Sequence, residues 1–152
     1  MLILIILLPL LSFFSISLFG RYIRWGIGYI PIINIFFSLL FSFILFYDIV
    51  QTGVTNKLFV DYCGVVDFLY TDWCFCFDSL ISVRLIVVTF ISTLVHLYST
   101  KWMTSDVHCL KFISYLSLLT FSILMFIVAD NFLQLFISWK GEVILHFIKK
   151  IR

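Results

Sequence analysis

A chain of 152 residues that is 63% hydrophobic and 12% charged lies outside the range of soluble globular domains, which average about 45–50% apolar and ~25% charged residues. It reads as an integral membrane protein. The net charge of +2 is small and dispersed, so nothing points to a nucleic-acid partner. Of the cysteines Cys63, Cys74, Cys76 and Cys109, only Cys74 and Cys76 are close, as C-x-C. Zinc sites use paired C-x2-C ligands, so thiols are expected rather than a metal site, and a disulfide within the Cys63–Cys76 loop stays open.

In chain order, Leu2 to Phe19 is the first expected span. No basic residue precedes its apolar run and no small-residue cleavage site precedes Gly20, so it reads as a retained span rather than a cleaved signal. Pro9 lies inside it and predicts a modest kink, with neighbouring groups satisfying the freed carbonyl. Arg21 and Arg24 form a basic turn before the second span, Ile27 to Val50. The one long polar connection, 51–78, holds Lys57, Asp61, Asp67, Asp72 and Asp78. Two runs in it, parted by Gly64, predict a β-hairpin on the membrane surface.

Ser79 to Ser99 is the third span, with Arg84 near its start and His96 near its end. Arg84 is expected to snorkel outward. After a short loop with Lys101 and Lys111, Phe112 to Ala129 is the fourth span. Its Ser114, Ser117 and Thr120, spaced by three, predict a helix-packing stripe in preference to a conduit. Asp78 and Asp130 precede the third and fifth helices, where a carboxylate cap is expected.

The last apolar stretch, Asn131 to Ile148, carries two opposite charges, Lys140 and Glu142, in its middle. Eighteen residues rise roughly 27 Å, which puts both near the midplane of a bilayer. A charge there costs on the order of 3 kcal/mol even on lenient scales, so both residues are candidates for handling protons or for pairing with a partner chain. On a helical wheel Asn131, Gln134, Ser138, Glu142, His146 and Lys149 share one polar stripe, and Lys140 falls on the opposite face.

The expected fold is an all-α membrane protein with about five transmembrane helices and a short surface β-hairpin between the second and third. Its segments are 1–50, 51–78, 79–130 and 131–152. Arg21, Arg24, Lys101, Lys111, Lys149, Lys150 and Arg152 all fall on one side of this topology. The positive-inside rule makes that side the inner one and places the N-terminus and the hairpin outside.

Several motifs recur in a known order and spacing. They are Phe77-Asp78-Ser79-Leu80, Val95-His96-Leu97-Tyr98-Ser99, Phe112-Ile113-Ser114-Tyr115-Leu116-Ser117, and Ala129-Asp130-Asn131-Phe132-Leu133-Gln134-Leu135-Phe136 followed by Trp139. Together they resemble the antiporter-like subunit 5 family of the mitochondrial proton-pumping NADH:ubiquinone oxidoreductase, respiratory complex I, over about residues 1 to 141. The resemblance implies a multi-pass protein of the mitochondrial inner membrane, its N-terminus toward the intermembrane space, embedded in lipid among other membrane-arm subunits. It also implies an enzyme subunit with no cofactor of its own, since FMN, the iron–sulfur clusters and ubiquinone belong to other subunits.

The family pattern has Trp-Glu-Gly where this chain has Trp139-Lys140-Gly141, and the glutamate is the acid assigned to proton translocation. Beyond Gly141 the resemblance ends. Family members are several times longer and contain two inverted five-helix repeats, so the resemblance implies a partner chain that supplies the rest of subunit 5. The proton-translocation candidates are therefore Glu142, Lys140 and His96. Glu142 replaces the family acid or belongs to a divergent terminus in which Lys140 packs against the partner. His96 belongs to a proton-entry path or is an interfacial histidine. A purely structural membrane-arm subunit and a stand-alone cation/proton antiporter are the alternatives. Such transporters bind between inverted repeats, and this chain holds no complete pair.

Overall fold

A computed structural model describes residues 2–20, 22, 28–66, 69–103, 105–106 and 108–151, with 56, 58, 60–66 and 69–73 described by their backbone alone. Five helices and one hairpin follow in order: α1 Leu2–Phe19, α2 Tyr29–Thr52, β1 Asn56–Val66, β2 Leu69–Phe77, α3 Ser79–Trp102, α4 Cys109–Val128 and α5 Phe132–Ile151. The expected basic turn at Arg21 and Arg24 lies outside the described residues. Helices α1 to α4 are long and apolar enough to cross a membrane. Helix α5 has the length, 20 residues, but carries Lys140, Glu142, Lys149 and Lys150. Its charges set it apart from the other four.

The apolar core lies at the hairpin end of the bundle. Ile5 and Ile6 of α1, Leu45 and Ile49 of α2, Leu85 of α3, and Leu124 and Val128 of α4 meet Phe75 and Phe77 of β2 there. A smaller cluster at the opposite end joins Ile16 to Ile113, flanked by Ile30, Cys109 and Leu110. The helix contacts also bury hydroxyl residues, among them Ser12, Ser38, Ser42, Thr89, Ser117 and Thr120. Most of these hydroxyls donate to a carbonyl of the preceding turn, as from Ser117 to Ser114 at 2.8 Å and Thr120 to Leu116 at 2.9 Å. Small side chains that satisfy themselves on their own backbone let neighbouring helices approach closely. The Ser114–Thr120 stripe is thus a packing surface.

Helix α1 continues through Pro9. Proline lacks the N–H that would bond the carbonyl four residues back. That carbonyl, of Ile5, instead accepts the Ser38 hydroxyl of α2 at 2.9 Å. Helix α2 stops at Gly53, which adopts φ 64° and donates its N–H to Ile49 at 2.8 Å, a left-handed cap for which glycine is favoured.

The strands β1 and β2 pair antiparallel from Asn56↔Phe77 to Val66↔Leu69. Gly64 lies inside β1, not between the strands as its sequence position suggested. The register slips between Phe59 and Asp61 and again between Tyr62 and Val65. Two bulges in β1 thus match its 11 residues to the nine of β2. A glycine is easily accommodated beside a bulge, so it need not mark a turn. Phe75 and Phe77, two apart and so on one face of β2, are buried against the bundle. The hairpin therefore plugs the end of the bundle as well as covering it.

The two expected carboxylate caps are not formed. Asp78 occupies the N-cap position of α3 in extended geometry and its carbonyl accepts from Ser82 at 2.8 Å, but its side chain makes no capping bond. Asp130 lies two residues before Phe132, outside the cap position. Its Oδ2 is 3.9 Å from Lys57 Nζ. Arg84 is exposed on α3.

Candidate functional site

Helix α5 starts from a fixed corner. Phe75 of β2 forms a backbone bridge to Ala129, between α4 and α5, and Lys57 pairs with the next residue, Asp130. From there α5 packs along α4. Gln134 and Ser138 are buried, and a Cβ on Gly141 would stand 3.7 Å from Ser122 Oγ. Farther along, the Lys149 ammonium stacks over the Phe112 ring at 4.7 Å. Residues 134, 138, 141, 145 and 149, spaced by three or four, form the face turned to α4.

Glu142 is half-buried at the edge of this face and has no ion-pair partner among the described residues. Lys140, two positions earlier and so ~200° around the helix, is exposed on the outward side. Its ammonium lies 5.4 Å from the Phe136 ring and 5.4 Å from the Trp139 ring. Two aromatic faces stabilise a cation by about 0.5–1 kcal/mol at an exposed site. That is less than the ~3 kcal/mol a bilayer midplane imposes, so the aromatic pair alone does not settle Lys140 in lipid.

His96 is fully buried in α3, so it is not a histidine of the exposed surface. Its Nδ1 is 2.7 Å from the Ser92 carbonyl oxygen, where a protonated Nδ1 donates. Nε2 is then the acceptor nitrogen, buried and without a partner among the described residues. His96, Glu142 and Lys140 thus occupy three places: the interior of the bundle, the α4-facing edge of α5 and the outer face of α5. They are not brought together.

Gln134 is a polar residue that the sequence placed on the stripe without singling it out. It is 3% exposed, and neither Nε2 nor Oε1 has a partner among the described residues. The signal was its place one turn before Ser138 on the packed face. At the corner, burial pushes the Cys76 thiol above its ordinary value, with Asp130 and Asp78 adding to the rise and Lys57 opposing it. Among the described residues no three His, Cys, Asp or Glu side chains gather as metal ligands.

A family model described as NADH-ubiquinone oxidoreductase (complex I), chain 5 N-terminus, matches residues 65–113. The chain is 39% identical over 139 residues to NADH-ubiquinone oxidoreductase chain 5 of Acanthamoeba castellanii, covering 90% of this chain and 20% of that protein. It is 42% identical over 142 residues to chain 5 of Arabidopsis thaliana, covering 93% and 21%. The NADH-quinone oxidoreductase subunit L of Rickettsia typhi is 40% identical over 142 residues, covering 91% and 21%. Among solved structures, a chain of the membrane-bound sulfane sulfur reductase, an archaeal respiratory membrane complex, superposes with a TM-score of 0.78 at 20% identity, over 93% of this chain and 28% of that one. That likeness concerns the fold. The chain spans about a fifth of the length of the curated relatives it matches. By its sequence, the chain is similar over about nine tenths of its own length to NADH-ubiquinone oxidoreductase chain 5.

Proposed function

We propose that this chain is the opening portion of the proton-pumping, antiporter-like subunit 5 of mitochondrial complex I, completed by a second chain that supplies the remaining helices. On this reading it lies in the inner mitochondrial membrane, with its N-terminus and hairpin on the intermembrane-space side. The observation that carries the reading is Lys140, exposed in the middle of α5 on the side away from α4. A mid-membrane ammonium facing lipid is costly, so this side of α5 is the seat of a partner helix that offers a carboxylate. Relatives carry about four fifths of their length outside the region this chain matches, and that portion is the natural occupant.

In this role the chain supplies no redox group. FMN, iron–sulfur clusters and ubiquinone work in other subunits, and α1 to α4 scaffold the end of the membrane arm. Proton movement through Glu142 requires groups from the partner, because Glu142 stands apart from both Lys140 and His96. The test is purification of the intact respiratory complex in mild detergent, with mass spectrometry for this chain. Recovery at one-to-one with a longer chain 5 fragment is expected. Recovery alone, or absence from the complex, overturns the proposal.

The separation of Glu142 from the other two candidates favours a second reading, a purely structural membrane-arm subunit. Glu142→Gln discriminates the two. Unchanged protons pumped per electron supports the structural role, and a fall supports Glu142 as a working acid.

A further inference from the structure

Helices α4 and α5 leave a groove between them at the end of the bundle remote from the hairpin. Lys149 and His146, both exposed, stand at its mouth, and half-buried Phe112, Leu116, Leu119 and Leu145 form its walls. From Phe112 to Leu119 the wall climbs ~10 Å along α4, from the first helical turn toward the middle of the span. The mouth is net positive among the described residues. Lys149 stacks on Phe112 with no carboxylate partner among them, and Lys111 and Lys150 are exposed at the same end. The one acidic residue of the described segments there is Asp106, exposed in the loop before α4.

A cation at the depth of a helix end, above an apolar slot running toward the hydrocarbon, fits a molecule that joins an anion to a hydrocarbon chain. A free anion would use the mouth and leave Leu116, Leu119 and Leu145 bare. We propose that this groove binds one anionic phospholipid, its phosphate at Lys149 and His146 and an acyl chain along Leu116, Leu119 and Leu145. The lipid then fills the seam between α4 and α5 at the end where the hairpin does not hold them. The site is built from this chain alone and does not depend on which chain completes the subunit.

The full chain is placed in nanodiscs of phosphatidylcholine, with or without a minor fraction of phosphatidylglycerol, and acylation of Lys149 is followed by mass spectrometry. Lys57, on the hairpin, is the internal reference. Phosphatidylglycerol is expected to slow Lys149 about fivefold relative to Lys57, and Leu116→Trp, which fills the slot, is expected to abolish the effect. Phosphatidylglycerol with a photoreactive acyl chain, applied to the unaltered chain, is expected to label residues 112–119 and 145. Equal slowing by inorganic phosphate in neutral nanodiscs means a free-anion site and overturns the proposal. So does slowing that survives Leu116→Trp, which reports surface charge alone. Equal protection of Lys149 in pure phosphatidylcholine means that the groove does not select an anionic lipid and overturns the proposal, as does photolabelling elsewhere.

Discussion

The Ser38 hydroxyl is the substitute donor for the Ile5 carbonyl, at 2.9 Å, where Pro9 withholds a backbone N–H. The pairing predicts a specific non-additivity. Ser38→Ala leaves a buried carbonyl unpaired and is expected to destabilise the chain by about 1 kcal/mol, within the range for interhelical hydrogen bonds in membranes. Adding Pro9→Ala restores the helical N–H and is expected to recover most of that loss. Unfolding equilibria of both single variants and the double variant in detergent measure the coupling. If the double variant is no more stable than Ser38→Ala, the substitution of donors is wrong.

Gly141 faces α4 with room for one methyl group. Its missing Cβ would stand 3.7 Å from Ser122 Oγ, ordinary van der Waals contact, so Gly141→Ala fits and gains helix propensity of up to ~1 kcal/mol. Gly141→Leu overpacks the seam and is expected to cost about 1–3 kcal/mol. Thermal unfolding of the two variants should move in opposite directions.

Lys140 separates assembly from stability. It is exposed and touches only its own helix's rings, Phe136 and Trp139. Lys140→Glu is therefore expected to cost the chain's own stability no more than the cation–π contacts it removes, about 1 kcal/mol. If the outer face of α5 seats a partner carboxylate, the same change lowers the yield of assembled complex, read on native gels. Normal assembly with the reversed charge would remove the basis for placing the partner there.

The Cys76 thiol gives a pH test of the corner. Its pKa is raised, first by burial and then by Asp130, against the lowering influence of Lys57. The midpoint of its alkylation rate against pH is expected above that of an ordinary thiol. Asp130→Asn removes a charge that disfavours the thiolate and should move the midpoint down part of the way. Lys57→Gln should move it up. Shifts of the opposite sign would contradict the Lys57–Asp130–Cys76 arrangement.

Much of this fold is written in local pattern. An apolar run between polar turns has one solution in lipid, a helix, so α1 lies where Leu2 to Phe19 predicted and the others begin or end within a few residues of expectation. The opposition of Lys140 to the Gln134–Ser138 face follows from helical periodicity and is seen in their burial. What pattern could not give were choices decided by tertiary contact. Gly64 reads as the break between two strands until the partner register places it inside β1. Asp130 reads as a cap until Lys57 arrives from the hairpin. The place of His96 near a helix end does not say whether it is buried, which the packing of its neighbours decides.

The bridge from Phe75 to Ala129 and the pair of Lys57 with Asp130 fasten one end of α5 to the α2–α3 connection, while the rest of the helix lies along α4. Helix α5 thus takes its starting point from the hairpin and its direction from α4, so the α2–α3 connection sets where along α4 the face of Gln134, Ser138 and Gly141 comes to lie.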